Sequence, residues 1–436
     1  MTMSGRTAVS RPGTPASTQV PPGELPEHGR DASAAAEVIR NSLGGDTTPT
    51  MNLATFLTTS YEPEAAHLFN EYLGYNLVDR DQYPAATEIE QRCVRILGEL
   101  WNGDPRSVVG GATTGSSEAA LLAGASLLRR WEHEHPNGTS HNGARPNIVF
   151  GANAHVCWHK FCRYWNVEPR VAPVRPHALH LTPEAAVELC DENTIGVVSV
   201  LGSTIDGSYE PVSAIAAALD ELSTSAGVDV PLHIDAASGG FIAPFLDPEL
   251  VWDFRIPRVR SINASGHKYG LVPPGLGWML WRDQRARTGW LNFRTNYLGS
   301  TRSHHELTFS RSAAPVVVQY YNFVRLGFEG YRAAHRRTRE TAVRLADELA
   351  EMGPFHVVGD GRQLPVVTVR LREETKNWKL HELSDHLGES GWSVPVYPLP
   401  PEMEDVDVLR VVVRDDMTPQ EAESLLSGVR RFVTVP

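Results

Sequence analysis

The stretch Ser261-Ile262-Asn263-Ala264-Ser265-Gly266-His267-Lys268-Tyr269-Gly270 contains the most informative lysine of the chain. An apolar run ends there in a Ser-Gly turn, and Lys268 follows between a histidine and a Tyr-Gly pair. Upstream, Pro231-Leu232-His233-Ile234-Asp235 is a second apolar run, and it ends in an aspartate. Because α/β proteins bind ligands at the carboxyl ends of parallel strands, we expect Asp235 and Lys268 to serve one site.

A strand-end aspartate followed by a lysine in a Ser/Gly/His turn suits a pyridoxal phosphate site. The lysine amine forms a Schiff base with the cofactor aldehyde, and the carboxylate pairs with the pyridinium nitrogen. Ala236 and Ala237 leave room for a flat ring. Each residue alone also has a simpler interpretation. Most lysines are solvated surface charges, and a strand-end aspartate often caps the turn that follows it.

Strand, turn and helix patterns alternate over residues 108–281, which predicts an α/β layer with a largely parallel sheet. A long helical tract over 316–350 contains Gly327 and Gly330 and predicts two helices that lead to a small α+β domain. The predicted organisation is an N-terminal arm at 1–50, partly disordered, a large cofactor-binding domain at 51–315, connecting helices at 316–350 and a small C-terminal domain at 351–436.

The composition limits the classes of function. The chain has 436 residues and a net charge of −12, which argues against nucleic acid or an anionic membrane as a partner. Its four cysteines do not suggest a disulfide framework. No apolar run is long enough for a bilayer span, and the N-terminus has no signal core. We therefore expect a cytoplasmic protein.

The turn Thr114-Gly115-Ser116-Ser117-Glu118 precedes a helical pattern and is the candidate phosphate site. Backbone N–H groups, the helix dipole and two hydroxyls at a helix start favour an anion. An ordinary capped helix start is the alternative interpretation.

A second cluster contains His155, Cys157, His159 and Cys162. Three of these positions share a helix face, but the spacing matches no usual zinc module and the interleaved aromatic residues indicate packing. We therefore predict no metal, and we expect His155 to stack on a flat cofactor instead.

Arg410 lies inside the apolar run Val408-Leu409-Arg410-Val411-Val412-Val413, where a charge needs a partner. It suits either a bidentate contact with a substrate α-carboxylate or a structural ion pair. By contrast, His304-His305-Glu306 is predicted to be a solvated loop.

Together these motifs resemble the pyridoxal-phosphate-dependent glutamate decarboxylases of bacteria and plants, over about residues 51–415. The matching blocks are Thr114-Gly115-Ser116-Ser117-Glu118-Ala119, Val156-Cys157-Trp158-His159-Lys160-Phe161, Asp191-Glu192-Asn193-Thr194-Ile195, residues 233–245, Trp252-Asp253-Phe254-Arg255, residues 265–269 and Arg325-Leu326-Gly327.

The resemblance implies a type I aminotransferase-like fold, active as a homodimer or higher oligomer with shared active sites. It implies α-decarboxylation of L-glutamate to 4-aminobutyrate, with Lys268 as the Schiff-base lysine. The implied cofactor contacts are Ser116, Ser117, Thr204, Asp235, Ala237, Ser265, His267 and Lys268, together with Ser310 of the neighbouring subunit. The implied substrate contacts are Thr55, Phe56 and Asp79 around the distal carboxylate and Arg410 at the α-carboxylate. The protonation of the product carbanion is assigned to Tyr297 or His155.

The chain departs from this family at several places. His155 stands where the family usually has glutamine, residues 300–307 differ from the family's loop, and Pro273-Pro274 follows the lysine turn. The chain also ends at Pro436, before the longer regulatory tail of the family.

These departures leave three alternatives to glutamate decarboxylation. The first is a related decarboxylase for another amino acid, with or without oxidative deamination to an aldehyde. The second is an aminotransferase, which the matching blocks disfavour. The third is a regulator on the same fold, which is disfavoured because Lys268 and Asp235 are both present.

Overall fold

The computed structural model describes residues 23, 25–135, 145–295, 302–304, 306–375 and 377–434, without the side chains of 294, 295 and 302–304. The chain divides into two compact units, residues 1–48 and 49–436. The described part of the first unit, within the predicted N-terminal arm, contains helix α1 (Ala32–Leu43). The stretch predicted to be disordered lies largely outside the described residues, and the predicted domain boundaries remain predictions.

Helices and strands alternate through most of the second unit. The helices are α2 (Pro63–Glu71), α3 (Pro84–Leu100), α4 (Ser116–Glu134), α5 (Val156–Trp165), α6 (Pro183–Glu188), α7 (Val212–Ala226), α8 (Ala243–Leu246), α9 (Gln284–Arg287), α10 (Ala314–Glu351), α11 (Leu380–Glu389) and α12 (Pro419–Thr434). The strands are β1 (Val109–Thr113), β2 (Asn147–Gly151), β3 (Glu168–Ala172), β4 (Thr194–Val200), β5 (Leu232–Asp235), β6 (Val259–Ser265), β7 (Gly277–Trp281), β8 (Phe293–Thr295), β9 (Arg302–His304), β10 (Phe355–Asp360), β11 (Val366–Leu371), β12 (Val396–Pro398) and β13 (Asp407–Val412).

The described residues form a large sheet of seven strands in the order β1-β7-β6-β5-β4-β2-β3. Strand β7 runs antiparallel to both its neighbours, and the pairs from β6 to β3 are parallel. Every residue of β4 is buried. Val197 packs into one apolar cluster and Ile195 and Val198 into another, so both faces of the sheet are covered. The predicted parallel α/β layer is confirmed.

The register of the central strands positions the site. Asp235 of β5 lies opposite Val200 of β4 and Asn263 of β6. The carboxyl ends of these three parallel strands therefore meet at one edge of the sheet. The segments that leave them carry Thr204 after β4 and Lys268 after β6.

Helix α10 breaks at Gly327, whose φ of 59° and ψ of −169° are not helical. Because a side chain disfavours this conformation, glycine suits the position. The tract thus consists of two helical segments, as predicted.

A small C-terminal sheet follows α10, with the antiparallel order β10-β11-β13-β12. Helices α11 and α12 contribute to the apolar cluster that covers it. The predicted combination of an α/β layer and a small α+β domain is confirmed. No helix within the described ranges is both long and apolar enough to cross a membrane.

Four strands were missed by sequence reasoning, namely β3, β8, β9 and β10, of which β3 and β10 lie at the edges of the two larger sheets. In β3 most residues are only partly buried and one is a proline, and in β10 only Phe355 and Gly359 are buried. Neither therefore has the continuous apolar run that marks the central strands.

Candidate active site

Asp235 closes β5 and is 4% exposed. Its Oδ1 accepts hydrogen bonds from Asn263 Nδ2 at 3.0 Å and from the Ala237 backbone N–H at 3.2 Å. Its Oδ2 accepts one from Trp158 Nε1 at 2.9 Å. These donors stabilise a buried carboxylate and fix its direction, as a partner for a cationic ring requires.

His233 lies behind this carboxylate. Its Nε2 is 2.8 Å from Asn263 Oδ1, and its Nδ1 is 2.7 Å from Ser261 Oγ. Because Asn263 donates to Asp235 through its amide nitrogen, its Oδ1 accepts, which places the imidazole proton on Nε2. Burial lowers the pKa of His233 to about 4, so the ring is neutral near pH 7.

Sequence reasoning missed the support that Trp158, His233, Ser261 and Asn263 give to Asp235. A signal was available in both strands, where polar residues alternate with apolar ones at positions 233 and 235 and at 261 and 263. A period of two places such residues on one face of a strand, here the face that ends at Asp235.

Lys268 lies in the turn after β6, and its Nζ donates to Ser238 Oγ at 3.0 Å. Burial lowers its pKa to about 8, against the opposing effect of the Asp235 carboxylate. About a tenth of the amine is then neutral near pH 7, and the neutral amine is the form that attacks a carbonyl. Thr58 holds the turn, because its N–H donates to His267 O at 3.0 Å and its hydroxyl to Lys268 O at 2.7 Å.

The candidate phosphate turn lies where α4 begins. Ser265 Oγ donates to Ser116 Oγ at 2.8 Å, which ties the turn to β6. A Cβ on Gly277 of β7 would lie 2.4 Å from the Gly115 carbonyl carbon and 2.6 Å from Ser116 N. Glycine at 277 therefore lets the turn pack directly on the sheet, with the first N–H groups of α4 available to an anion.

His267 and His155 flank this turn. Nδ1 of His267 accepts from the Leu276 N–H at 3.2 Å, which leaves Nε2–H as a donor. Burial and the neighbouring Lys268 lower the pKa of His267 to about 4. His155 caps α5 by accepting from the Cys157 N–H at 3.2 Å, and burial lowers its pKa too, so both rings are neutral near pH 7.

One cavity of about 310 Å³ collects most of the predicted cofactor residues. The predicted residues that line it are Ser116, Ser117, His155, Thr204, Asp235, Ala237, Ser265, His267 and Lys268. An amine, a buried carboxylate and a helix N-terminus thus face one space. This donor set fits the aldehyde, the ring nitrogen and the phosphate of pyridoxal phosphate.

Phe56 and Arg410 lie next to this cavity. The Phe56 ring centre is 5.0 Å from Lys268 Nζ and 5.3 Å from Arg410 Cζ. Arg410 donates to Thr204 O at 2.5 Å and to Ala54 O at 2.7 Å. No salt bridge of Arg410 is found among the described residues, whereas the nearby Arg414 pairs with Asp416. The described residues therefore give no support to the alternative in which Arg410 forms a structural ion pair.

The other predicted substrate and phosphate residues, Thr55, Asp79 and Ser310, do not line this cavity. Thr55 Oγ1 accepts from the Leu57 N–H at 3.2 Å. Asn76 Nδ2 lies 3.1 Å from Asp79 Oδ2 and 3.4 Å from Ser310 Oγ. Neither Asp79 nor Ser310 lines the cavity of its own chain. The predicted catalytic Tyr297 lies outside the described residues.

The predicted solvated loop at His304-His305-Glu306 is wrong for Glu306, while His304 ends β9 and His305 lies outside the described residues. The Glu306 side chain is 1% exposed and lies 2.9 Å from Arg80 Nη2 and 3.1 Å from Arg311 Nη2. Both arginines also contact Glu90, which has no exposed side-chain surface. The sequence around Glu306 contains charged and polar residues, which led to the prediction of a solvated loop. The two arginines that compensate its charge are distant in the sequence, so a local pattern does not show them.

In the cysteine–histidine cluster the two cysteines pack into the core, whereas His155 and His159 are exposed. Cys157 and Cys162 are each 3% exposed, and His159 lies edge-on against Phe150 at 5.1 Å. In the described ranges, no group of three or more His, Cys, Asp or Glu side chains is arranged to hold a metal ion.

The fold and the cavity together define a pyridoxal-phosphate-dependent enzyme of the type I fold. The chain belongs to the pyridoxal-dependent decarboxylases, because the conserved domain of that family matches residues 24–372. Its cofactor is therefore pyridoxal phosphate, and it is a carboxy-lyase.

Within this family, the chain is similar to several glutamate decarboxylases. The glutamate decarboxylase of Aliivibrio fischeri is 44% identical over 420 residues, which is 96% of this chain and 90% of that protein. The glutamate decarboxylase of Solanum lycopersicum is 41% identical over 418 residues, 95% of this chain and 83% of that protein. A solved structure of Lactobacillus brevis glutamate decarboxylase has a TM-score of 0.91 and 39% identity, with 94% of each chain covered. The resemblance noted from the motifs is confirmed.

Proposed function

We propose that the protein converts L-glutamate to 4-aminobutyrate and CO₂, with a proton replacing the α-carboxylate. The observation that carries this proposal is the placement of the Lys268 amine and the Arg410 guanidinium against the same Phe56 ring, 5.0 and 5.3 Å from its centre. An amine that binds the cofactor and a cation for a carboxylate thus lie close together. The similarity to curated glutamate decarboxylases supports the choice of substrate.

The described residues would hold the cofactor as follows. Lys268 would bind its aldehyde carbon, and Asp235 would keep its ring nitrogen protonated. The Ser116 and Ser117 turn and His267 Nε2–H would donate to its phosphate, and Thr204 would contact its 3-hydroxyl. When bound, pyridoxal phosphate accepts the electron pair that the departing CO₂ leaves at Cα. Ala237, Ser265 and His155 would complete the wall of the cavity.

Substrate orientation would come from charge. Arg410 would bind the α-carboxylate and align the Cα–carboxylate bond for cleavage. We place Thr55 and Phe56 near the distal carboxylate. Protonation at Cα is assigned to Tyr297 or to His155, whose neutral ring is suited to relay a proton.

The active form is proposed to be a homodimer or larger assembly. Asp79 and Ser310 lie together around Asn76 and away from the cavity of their own chain. In a dimer with shared sites they would face the cavity of the other subunit. The four free cysteines support a reducing, cytoplasmic location.

An amino-acid panel with the cofactor-loaded enzyme tests this function. CO₂, amine and aldehyde are measured by mass spectrometry, and we expect 4-aminobutyrate from glutamate and no aldehyde. Turnover of another amino acid in place of glutamate would refute the substrate, and aldehyde formation would favour the oxidative alternative. As a control, Lys268→Ala should lose the borohydride-trappable cofactor adduct, and an adduct on another lysine would refute its assignment.

A further inference from the structure

Glu118 occupies the first turn of α4, is 6% exposed and lines the cavity. Its Oε2 accepts hydrogen bonds from Thr114 N at 2.7 Å and Thr114 Oγ1 at 2.8 Å. Its Oε1 accepts from Leu307 N at 3.0 Å, Thr308 N at 3.1 Å and Thr308 Oγ1 at 3.2 Å. One buried carboxylate therefore joins two segments that are far apart in the sequence.

The negative charge of the Glu118 carboxylate, taken alone, is unfavourable for phosphate binding. Two anions in a partly buried site repel each other, so the charge of Glu118 by itself weakens phosphate binding. The donors around both oxygens and the positive end of α4 offset that cost. What the carboxylate supplies is geometry, because it can accept from Thr114 and from the 307–308 backbone at once.

We propose that Glu118 is a positioning residue for the phosphate turn. It holds Thr114 so that the first N–H groups of α4 and the hydroxyls of Ser116 and Ser117 face the phosphate. Through Leu307 and Thr308 it also fixes the segment that carries Ser310. The inference rests on the proposed phosphate contacts of the cavity, and it adds a residue that does not itself touch the cofactor.

Two substitutions separate charge from geometry. Glu118→Gln keeps the size but replaces one oxygen by an NH₂ group. Because the NH₂ group cannot accept a hydrogen bond, the side chain can no longer accept from both segments at once. Glu118→Asp keeps the charge but is too short to reach both segments. A charge effect predicts tighter phosphate binding in the glutamine variant, whereas a positioning effect predicts weaker binding in both variants.

The experiment compares pyridoxal phosphate with pyridoxal, which has the same ring and aldehyde but no phosphate. Apoprotein of each variant is titrated with both compounds, and the absorbance of the bound ring gives the two affinities. We expect Glu118→Gln to weaken pyridoxal phosphate about 10- to 100-fold while pyridoxal changes by less than about twofold. Glu134→Gln, an exposed position on the same helix paired with Arg130, is the matched control and should change neither.

The outcomes are distinct. Equal weakening of both compounds would indicate general damage to the cavity and would overturn the proposal, as would unchanged or tighter binding of pyridoxal phosphate. If Glu118→Gln does not fold, Glu118→Asp and Thr308→Val give the same comparison with smaller perturbations. If the unmodified protein itself does not prefer pyridoxal phosphate to pyridoxal, the proposed phosphate contacts fail, and the role of Glu118 fails with them.

Discussion

Replacement of His233 by phenylalanine is a test of the hydrogen bonds behind Asp235. The substitution keeps a flat ring in a fully buried position but removes both polar contacts. Ser261 Oγ and Asn263 Oδ1 then lose their partners inside the core. Each buried polar group left unpaired costs about 1–3 kcal/mol, so with two such groups we expect a loss of about 2–6 kcal/mol in the free energy of unfolding near pH 7.5.

The same residue predicts a pH dependence. The pKa of His233 is lowered to about 4 in the folded protein, from 6.5 in the unfolded chain. Between these values the unfolded state binds more protons. The contribution of His233 to the free energy of unfolding is therefore fully present above pH 6.5 and is lost as the pH falls toward 4. The pKa difference corresponds to about 3 kcal/mol for this one group. His267 contributes in the same direction, because its pKa is also lowered to about 4.

Urea unfolding of the apoprotein at fixed protein concentration, between pH 4 and 8, measures both effects. His233→Phe should lower the midpoint at pH 7.5 and should reduce the pH dependence by about one proton between pH 4 and 6.5. His233→Gln is the control, since it can still donate to Asn263 but cannot titrate, and it should show a smaller loss with the same flattened pH profile. An unchanged midpoint and slope in His233→Phe would refute the neutral, doubly bonded histidine.

Three further predictions concern single positions. Arg410→Gln should lower kcat/KM for glutamate about 10- to 100-fold without weakening cofactor binding. Steady-state kinetics and a cofactor titration measure the two effects, and unchanged kinetics would exclude Arg410 from the substrate site. Gly277→Ala should weaken cofactor binding in a titration, because its Cβ would lie 2.4 Å from the Gly115 carbonyl carbon, and unaltered affinity would show that the turn can shift freely. Gly327→Ala should destabilise the protein by about 1–3 kcal/mol. The cost comes from the φ of 59° alone, because nothing lies within 4 Å of the new Cβ, and an unchanged unfolding midpoint would contradict this.

The sequence alone was sufficient for the central chemistry. Lys268, Asp235 and the Ser116-Ser117 turn were predicted because each follows a local signal, an apolar run that ends in a polar turn or a helix start. Such signals depend on neighbours in the chain, and the parallel sheet brings strand ends together whatever the details of packing. The same logic predicted the two helical segments on either side of Gly327.

Tertiary contacts decided the groups that hold those residues in place. Thr58 reaches the Lys268 turn, Glu118 reaches the 307–308 backbone, and Glu306 is buried between arginines although its local sequence looked solvated. These contacts join residues that are far apart in the chain, and the register of strands and the folding of loops, which no local pattern encodes, bring them together. A buried charge is stable only with its distant partner, so only the folded chain shows which polar residues support the site.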